Sequence, residues 1–215
     1  MSPRKDRMAK PLVGGGKGWE REVSAWLGAC GGWMHRHEPR MARKIRVAGG
    51  VPDFEIILDG CAHLVECKHE SGPSMDLGRL VGLDRECGAG IKPSQAREMD
   101  AATKAGAWCW VAASLEMPAT TRRRGAQVRL DGTGGDLPAV IRQLVPWALW
   151  RARMAAAEEA RLRGGDVQAS IPAVELVGLG WPIRTAAELR RALEADRLPT
   201  HRYLSKVVAA RLPLG

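Results

Sequence analysis

Residues 51–70 read VPDFEIILDGCAHLVECKHE, and this stretch decides the fold. Two β-prone runs, DFEIIL and CAHLVECK, meet at Asp59-Gly60, a pair suited to a two-residue hairpin turn. Yet the runs carry Asp53, Glu66 and Lys68 where a buried hairpin would hold apolar groups. Buried charge is costly unless it is paired or bound to a metal. Alternation resolves half of the conflict. Side chains two apart share a face, so Glu66 and Lys68 point one way while Val65 and Cys67 point into the core. The turn resolves the other half, because it folds the first run back and delivers Asp53 beside the far end of the second. Two carboxylates and an ammonium converge with no long-range assumption.

Neighbouring carboxylates repel unless a cation sits between them, and oxygen donors suit Mg²⁺, with Mn²⁺ as a substitute. A cation held there can acidify a bound water and stabilise charge on a phosphoryl oxygen. The lysine can orient that water or neutralise the phosphate. In outline this is a phosphodiesterase site; a solvated edge strand is the alternative.

Composition agrees with an anionic partner. The 215 residues carry a formal charge of +9, with 45% hydrophobic and 27% charged residues, which is a globular balance with a basic excess. Nucleic acid is the first candidate and an anionic membrane surface the second. No apolar run approaches the roughly 18–20 residues that span a bilayer, and MSPRKDRMAK does not resemble a signal peptide. A cytoplasmic protein is expected, nucleoid-associated in a bacterial or phage host, with no membrane partner and no small-molecule cofactor. Five cysteines with no CxxC pair argue against a zinc ribbon or a disulfide framework.

Along the chain, residues 1–16 form a basic, Gly-rich lead-in. GKGWEREVSAWLGAC spaces Trp19, Val23, Trp26, Leu27 and Cys30 as a helix, stopped by Gly31-Gly32. The basic stretch 33–50 reads as part strand, part loop, and residues 71–90 as a long loop. KPSQAREMDAATKAG predicts a helix capped by Ser94 and ended by Gly106. AWCWVAASL is a third strand and AQVRLDG a possible fourth. This order predicts an α/β fold with a mixed sheet flanked by helices. From 137 the composition shifts to helix formers. AVIRQLVPWALWRARMAAAEEARLRGG reads as one long helix kinked or interrupted at Pro146, and Thr185-x-x-Glu188 as a capping box. The expected organisation is a core over 17–136 followed by a basic helical extension over 137–215.

The pattern PD…ECK resembles the PD-(D/E)xK nuclease superfamily, and its surroundings resemble the RecU-type Holliday junction resolvases and their phage relatives. The matching stretches, in order, are GKGWERE, MHRHEP, VPDFEIILDG, HLVECKHE and IKPSQAREMDAATKAGAWCWVAAS, spanning about residues 14–130. The resemblance implies a restriction-endonuclease-like fold and a Mg²⁺-dependent endonuclease that resolves branched DNA by paired nicks as a homodimer. Carried over by residue, Asp53, Glu66 and the backbone carbonyl of Cys67 would bind the metal, with Glu20 completing the shell directly or through water. Lys68 would serve the attacking water, and Gln95 would support the site from its helix start. The His69-Glu70 pair departs from the small polar residues common there. This puts substrate choice in question.

The remaining candidates have competing readings. Glu20 could be an exposed helix residue, and Glu22 lies about 200° around the helix from it. His35 and His37 could ligate zinc, contact phosphate or be solvated. His63 reads as a structural core histidine, and His69 falls on the face opposite Lys68. Lys17, His35, Arg36, Arg40, Arg43, Lys44, Arg46, Lys92, Arg122, Arg123 and Arg124 are candidate DNA contacts, of the kind that position phosphates without reading sequence. Trp19, Trp26, Trp108 and Trp110 suit a core. Trp33 and Trp181 suit a core, an interface or base stacking. Two rivals stand beside the resolvase: a restriction-like or repair endonuclease on the same core, and a non-catalytic protein binding DNA, RNA or an acidic partner.

Overall fold

The computed structural model describes residues 15–37, 41–42, 45–46, 51–77, 90–117, 139–163 and 170–195. In chain order the first elements are α1 (Gly15–Ala29), β1 (Trp33–Arg36), β2 (Met41–Ala42), β3 (Ile45–Arg46), β4 (Phe54–Leu58), β5 (Cys61–Ser71) and β6 (Ser74–Asp76). Then follow α2 (Pro93–Lys104), β7 (Trp108–Glu116), β8 (Val140–Pro146), α3 (Trp147–Leu162), β9 (Ser170–Pro172), α4 (Ala173–Leu179), β10 (Trp181–Pro182) and α5 (Ala186–Ala195). Among the described residues, six strands form one sheet in the order β1-β4-β5-β7-β8-β10.

The hairpin forms as expected. Asp59 and Gly60 both take positive φ, 48° and 78°, and Leu58 pairs with Cys61 across the turn. β5 lies antiparallel to β4 and parallel to β7, with α2 in the intervening chain, so the sheet is mixed. β7 is the most enclosed strand, buried from Cys109 to Leu115. Trp110 and Ala112 join the core beneath α1 and α5, with Trp19, Leu27 and Leu189. Cys109, Val111, Ala113 and Leu115 join the core beneath α2, α3 and α4, with Met99, Trp150 and Leu176. The α/β architecture with a mixed sheet between helices is thus as expected; the described residues beyond 137 supply β8 and β10 to this same sheet as well as three helices.

Two local expectations are corrected. Residues 140–146 are a strand, not the first part of a helix. Val111 pairs with Val145 and Leu115 with Ile141, which extends the sheet beyond β7. The β-branched Val140, Ile141 and Val145 suit a pleated surface, and Pro146 ends the strand just where α3 starts. The N-cap of α2 is Lys92 rather than Ser94: Pro93 opens the helix, and the Gln95 side chain accepts the Lys92 N–H at 3.1 Å. Gly106 ends α2 at φ 93° as expected. At α5, Thr185 Oγ1 accepts the Glu188 N–H at 3.2 Å, while the Glu188 carboxylate accepts the Arg184 N–H at 2.7 Å, so the box closes one residue early. The possible strand in 126–132 lies outside the described residues.

Gly180, between α4 and β10, shows how tightly the second edge is built. A Cβ there would press into the Leu144 carbonyl and stand 3.0 Å from Val145 Cα, and backbone cannot swing aside as a side chain does. Gly180→Ala is expected to destabilise the fold by about 2–3 kcal/mol. Urea unfolding should show a lower midpoint with an unchanged slope.

Candidate active site

The site begins with a gap in the ladder between β4 and β5. Phe54 pairs with Val65 and Leu58 with Cys61, so continuing that register sets Cys67 opposite Pro52. Proline has no N–H to offer the Cys67 carbonyl. The Cys67 N–H is claimed instead by a side chain, donating to Asp53 Oδ2 at 2.8 Å. Asp53 is thereby pinned where β4 begins, against the middle of β5.

Glu66, Lys68 and Glu70 share the face of β5 that looks toward α2, while Val65 and Cys67 pack beneath α1. Lys68 Nζ lies 2.7 Å from Glu66 Oε1. Gln95, delivered by the first turn of α2, donates from Nε2 to the same Oε1 at 2.6 Å. The Gln95 amide thus closes the helix start with its oxygen and grips Glu66 with its nitrogen. Glu66 Oε1 accepts two bonds, whereas Glu66 Oε2 is buried with no hydrogen-bond partner among the described residues.

An unpartnered oxygen on a carboxylate only 1% exposed is a costly arrangement. Burial pushes the Glu66 carboxyl up to about 7, against the pull of Lys68, and the nearby Asp53 charge raises it further. Burial also raises Asp53, opposed by the Cys67 N–H and by the charges of Lys68, Arg36 and Lys92. Among the described residues no three His, Cys, Asp or Glu side chains gather as a metal-binding group. Asp53, Glu66 through Oε2 and the Cys67 backbone carbonyl are the oxygens here that could hold a hard cation. Such a set leaves positions for water or phosphate, as Mg²⁺ prefers.

The other candidates fall into distinct places. Glu20, on α1, is held by Arg36 at 3.1 Å, and its charge reaches the Cys67 thiol, which burial raises strongly. Glu22 binds Arg142 at 2.8 Å instead. Arg36 also lies 5.9 Å over the Phe54 ring. Lys17 and His35 are exposed, and Lys92 is exposed at the start of α2, close enough for its charge to act on Asp53. Arg46 belongs to β3; Arg40, Arg43, Lys44, Arg122, Arg123 and Arg124 lie outside the described residues. His63 is a core residue whose Nδ1 accepts the Trp110 indole N–H at 3.2 Å. Trp19 and Trp110 are buried as expected, whereas Trp33 is 56% exposed.

Two further residues border the site: Glu70, which has no role legible in the sequence, and His37, which reads there as a zinc ligand, a phosphate contact or a solvated residue. Glu70 accepts the Asp76 N–H with both oxygens at 3.0 Å, tying β6 to β5, and burial raises its carboxyl. The alternation Glu66, Lys68, Glu70 was the available signal. His37 donates its backbone N–H to the Asp53 carbonyl at 2.9 Å, and its Nε2 lies 3.8 Å from Glu55. No short-range pattern announces that contact.

No protein-family model matches this chain, and no curated protein matches it. Among solved structures, it is similar to Hjc, a Holliday junction resolvase of the archaeal hyperthermophile Archaeoglobus fulgidus, at 13% identity and a TM-score of 0.36, over 62% of this chain and 78% of that one.

Proposed function

We propose that the protein is a metal-dependent DNA endonuclease of the PD-(D/E)xK kind, which resolves four-way junctions by paired nicks as a homodimer. The observation that carries this reading is the split environment of Glu66. Lys68 and Gln95 hold one oxygen, and the other is buried without a hydrogen-bond partner among the described residues, close enough to Asp53 for that charge to act on the carboxylate. A structural ion pair would gain by satisfying both oxygens; a site that takes a cation keeps one free.

Asp53, Glu66 and the Cys67 carbonyl would hold Mg²⁺, which when bound would acidify a water and neutralise charge on the phosphate. Lys68 has three N–H donors and spends one on Glu66, leaving two for the attacking water or a phosphate oxygen. Gln95 holds the Glu66 carboxylate in one rotamer, so its free oxygen keeps a fixed direction. The water oxygen forms a bond to phosphorus as the bond to the 3′ oxygen breaks, leaving 5′-phosphate and 3′-hydroxyl ends. Two symmetric nicks across a branch ask for two sites related by a twofold axis, which is the reason for proposing a homodimer.

The test is cleavage of a synthetic four-way junction beside a linear duplex of the same sequence, with Mg²⁺ and with EDTA. Paired nicks in the junction, Mg²⁺-dependent and much faster than duplex cleavage, are expected. Equal rates on both DNAs would assign a restriction-like or repair endonuclease. Tight binding with no cleavage in Mg²⁺ or Mn²⁺ would leave a non-catalytic binding protein.

A further inference from the structure

Trp33, His35 and His37 follow one another at alternate positions along β1 and just past it, so they stand on one face. Their rings form a row. Trp33 stacks on His35 with centroids 6.0 Å apart and planes 8° apart, and His37 meets His35 edge-on at 4.7 Å. Register places the row on the catalytic side of the sheet: Trp33 pairs with Ile57 and His35 with Glu55, and Glu55 pairs with Leu64, two residues before Glu66. The row ends at the site, because the His37 backbone bonds the Asp53 carbonyl. It begins in the open, with Trp33 56% exposed on the edge strand β1 and its partner Ile57, on β4, 42% exposed.

A single exposed tryptophan is ordinary. A stacked indole–imidazole row leading to a site for phosphate chemistry, on a chain of net charge +9, is a more specific arrangement. We propose that this row is a stacking platform for an unpaired nucleobase of the DNA strand entering the site, an inference that rests on the nuclease reading. In an intact duplex both faces of each base are covered by its neighbours, so the Trp33 ring can be used only by a base that has left the stack. Four residues of strand set Trp33 about 13 Å from His37, so the base would lie within a few nucleotides of the scissile phosphate. The platform would therefore favour DNA whose pairing is broken beside the cut, such as a branch point, bulge or gap.

Binding in EDTA isolates this inference from the chemistry. Fluorescence anisotropy would compare an intact duplex, the same duplex with a two-nucleotide bulge, and the corresponding single strand. Wild type should prefer the bulged and single-stranded DNAs. Trp33→Ala should weaken binding to them by about tenfold or more, the usual scale of base–aromatic stacking, and leave the intact duplex within about twofold. Trp33→Tyr, which keeps a ring, should recover most of the affinity and guards against a folding defect. Equal losses on all three DNAs, or none, would overturn the platform while leaving the nuclease reading intact. So would a Trp33→Ala protein that changes from dimer to monomer in sedimentation, since the row would then cover a second copy. Failure of wild type to bind any of the DNAs would overturn both.

Discussion

Lys68→Met is expected to slow Mg²⁺-dependent DNA cleavage by at least about a hundredfold, because it removes the ammonium that is held 2.7 Å from Glu66. The Lys68 side chain is 11% exposed and its stem runs beside the buried Glu66, so an unbranched apolar side chain of similar length can occupy its path. Asp53→Asn should cost as much by a different route. It keeps the Cys67 N–H bond with the amide oxygen but removes the negative charge that a cation would need. The two variants separate in their response to metal. Asp53→Asn should raise the Mg²⁺ concentration needed for half-maximal rate, whereas Lys68→Met should lower the maximal rate at nearly the same Mg²⁺ requirement. DNA binding in EDTA should stay within a few-fold of wild type for both. A Lys68→Met enzyme within twofold of wild type would remove the lysine from the chemistry, and an Asp53→Asn enzyme with an unchanged rate would place the centre elsewhere.

What could be read from the sequence follows the range of the forces involved. The hairpin is local: Asp59-Gly60 fixes the turn and alternation fixes the faces, so the meeting of Asp53 with β5 needed no tertiary knowledge. The detail that Asp53 grips the Cys67 N–H depends on register continuing to Pro52, which is visible only once β4 is aligned. Residues 140–146 misled because a short apolar run before strong helix formers fits either period, and only pairing with β7 makes it a strand. Gln95 came through resemblance. Its physical role needs α2 to cross β5, a contact between residues 29 apart in sequence. Glu20 lay on the helix where it was expected, but its Arg36 partner comes from a neighbouring strand that helix periodicity cannot report. Trp33 is the reverse case: apolar character suggested cover, and the edge of the sheet left it exposed.

Glu66 should also make the metal-free protein lose stability as pH rises. Burial raises its folded pKa from 4.5 to about 7, so the folded state keeps a proton that the unfolded chain gives up earlier. The associated stability is fully present below about pH 4.5 and is lost as pH climbs through about 7, an amount on the order of 3 kcal/mol. Unfolding in EDTA should show that decline, and Glu66→Gln should flatten it. The single variant strands the Lys68 ammonium in a largely buried position, so its net stability at about pH 8 reflects two opposed terms. The double variant Glu66→Gln/Lys68→Met resolves them, since it preserves shape and removes both charges. It should be catalytically inert yet more stable than wild type at about pH 8 by roughly 1–3 kcal/mol, a rise of several degrees in Tm. Saturating Mg²⁺ should then raise the Tm of the wild type and not of the double variant, because a ligand of the folded state stabilises only where its donors remain. A double variant less stable than wild type at every pH, with the slope retained, would mean that the Glu66–Lys68 pair serves the fold. A more stable, inert variant would mean that the fold tolerates this pair at a cost, which only a function in that cleft explains.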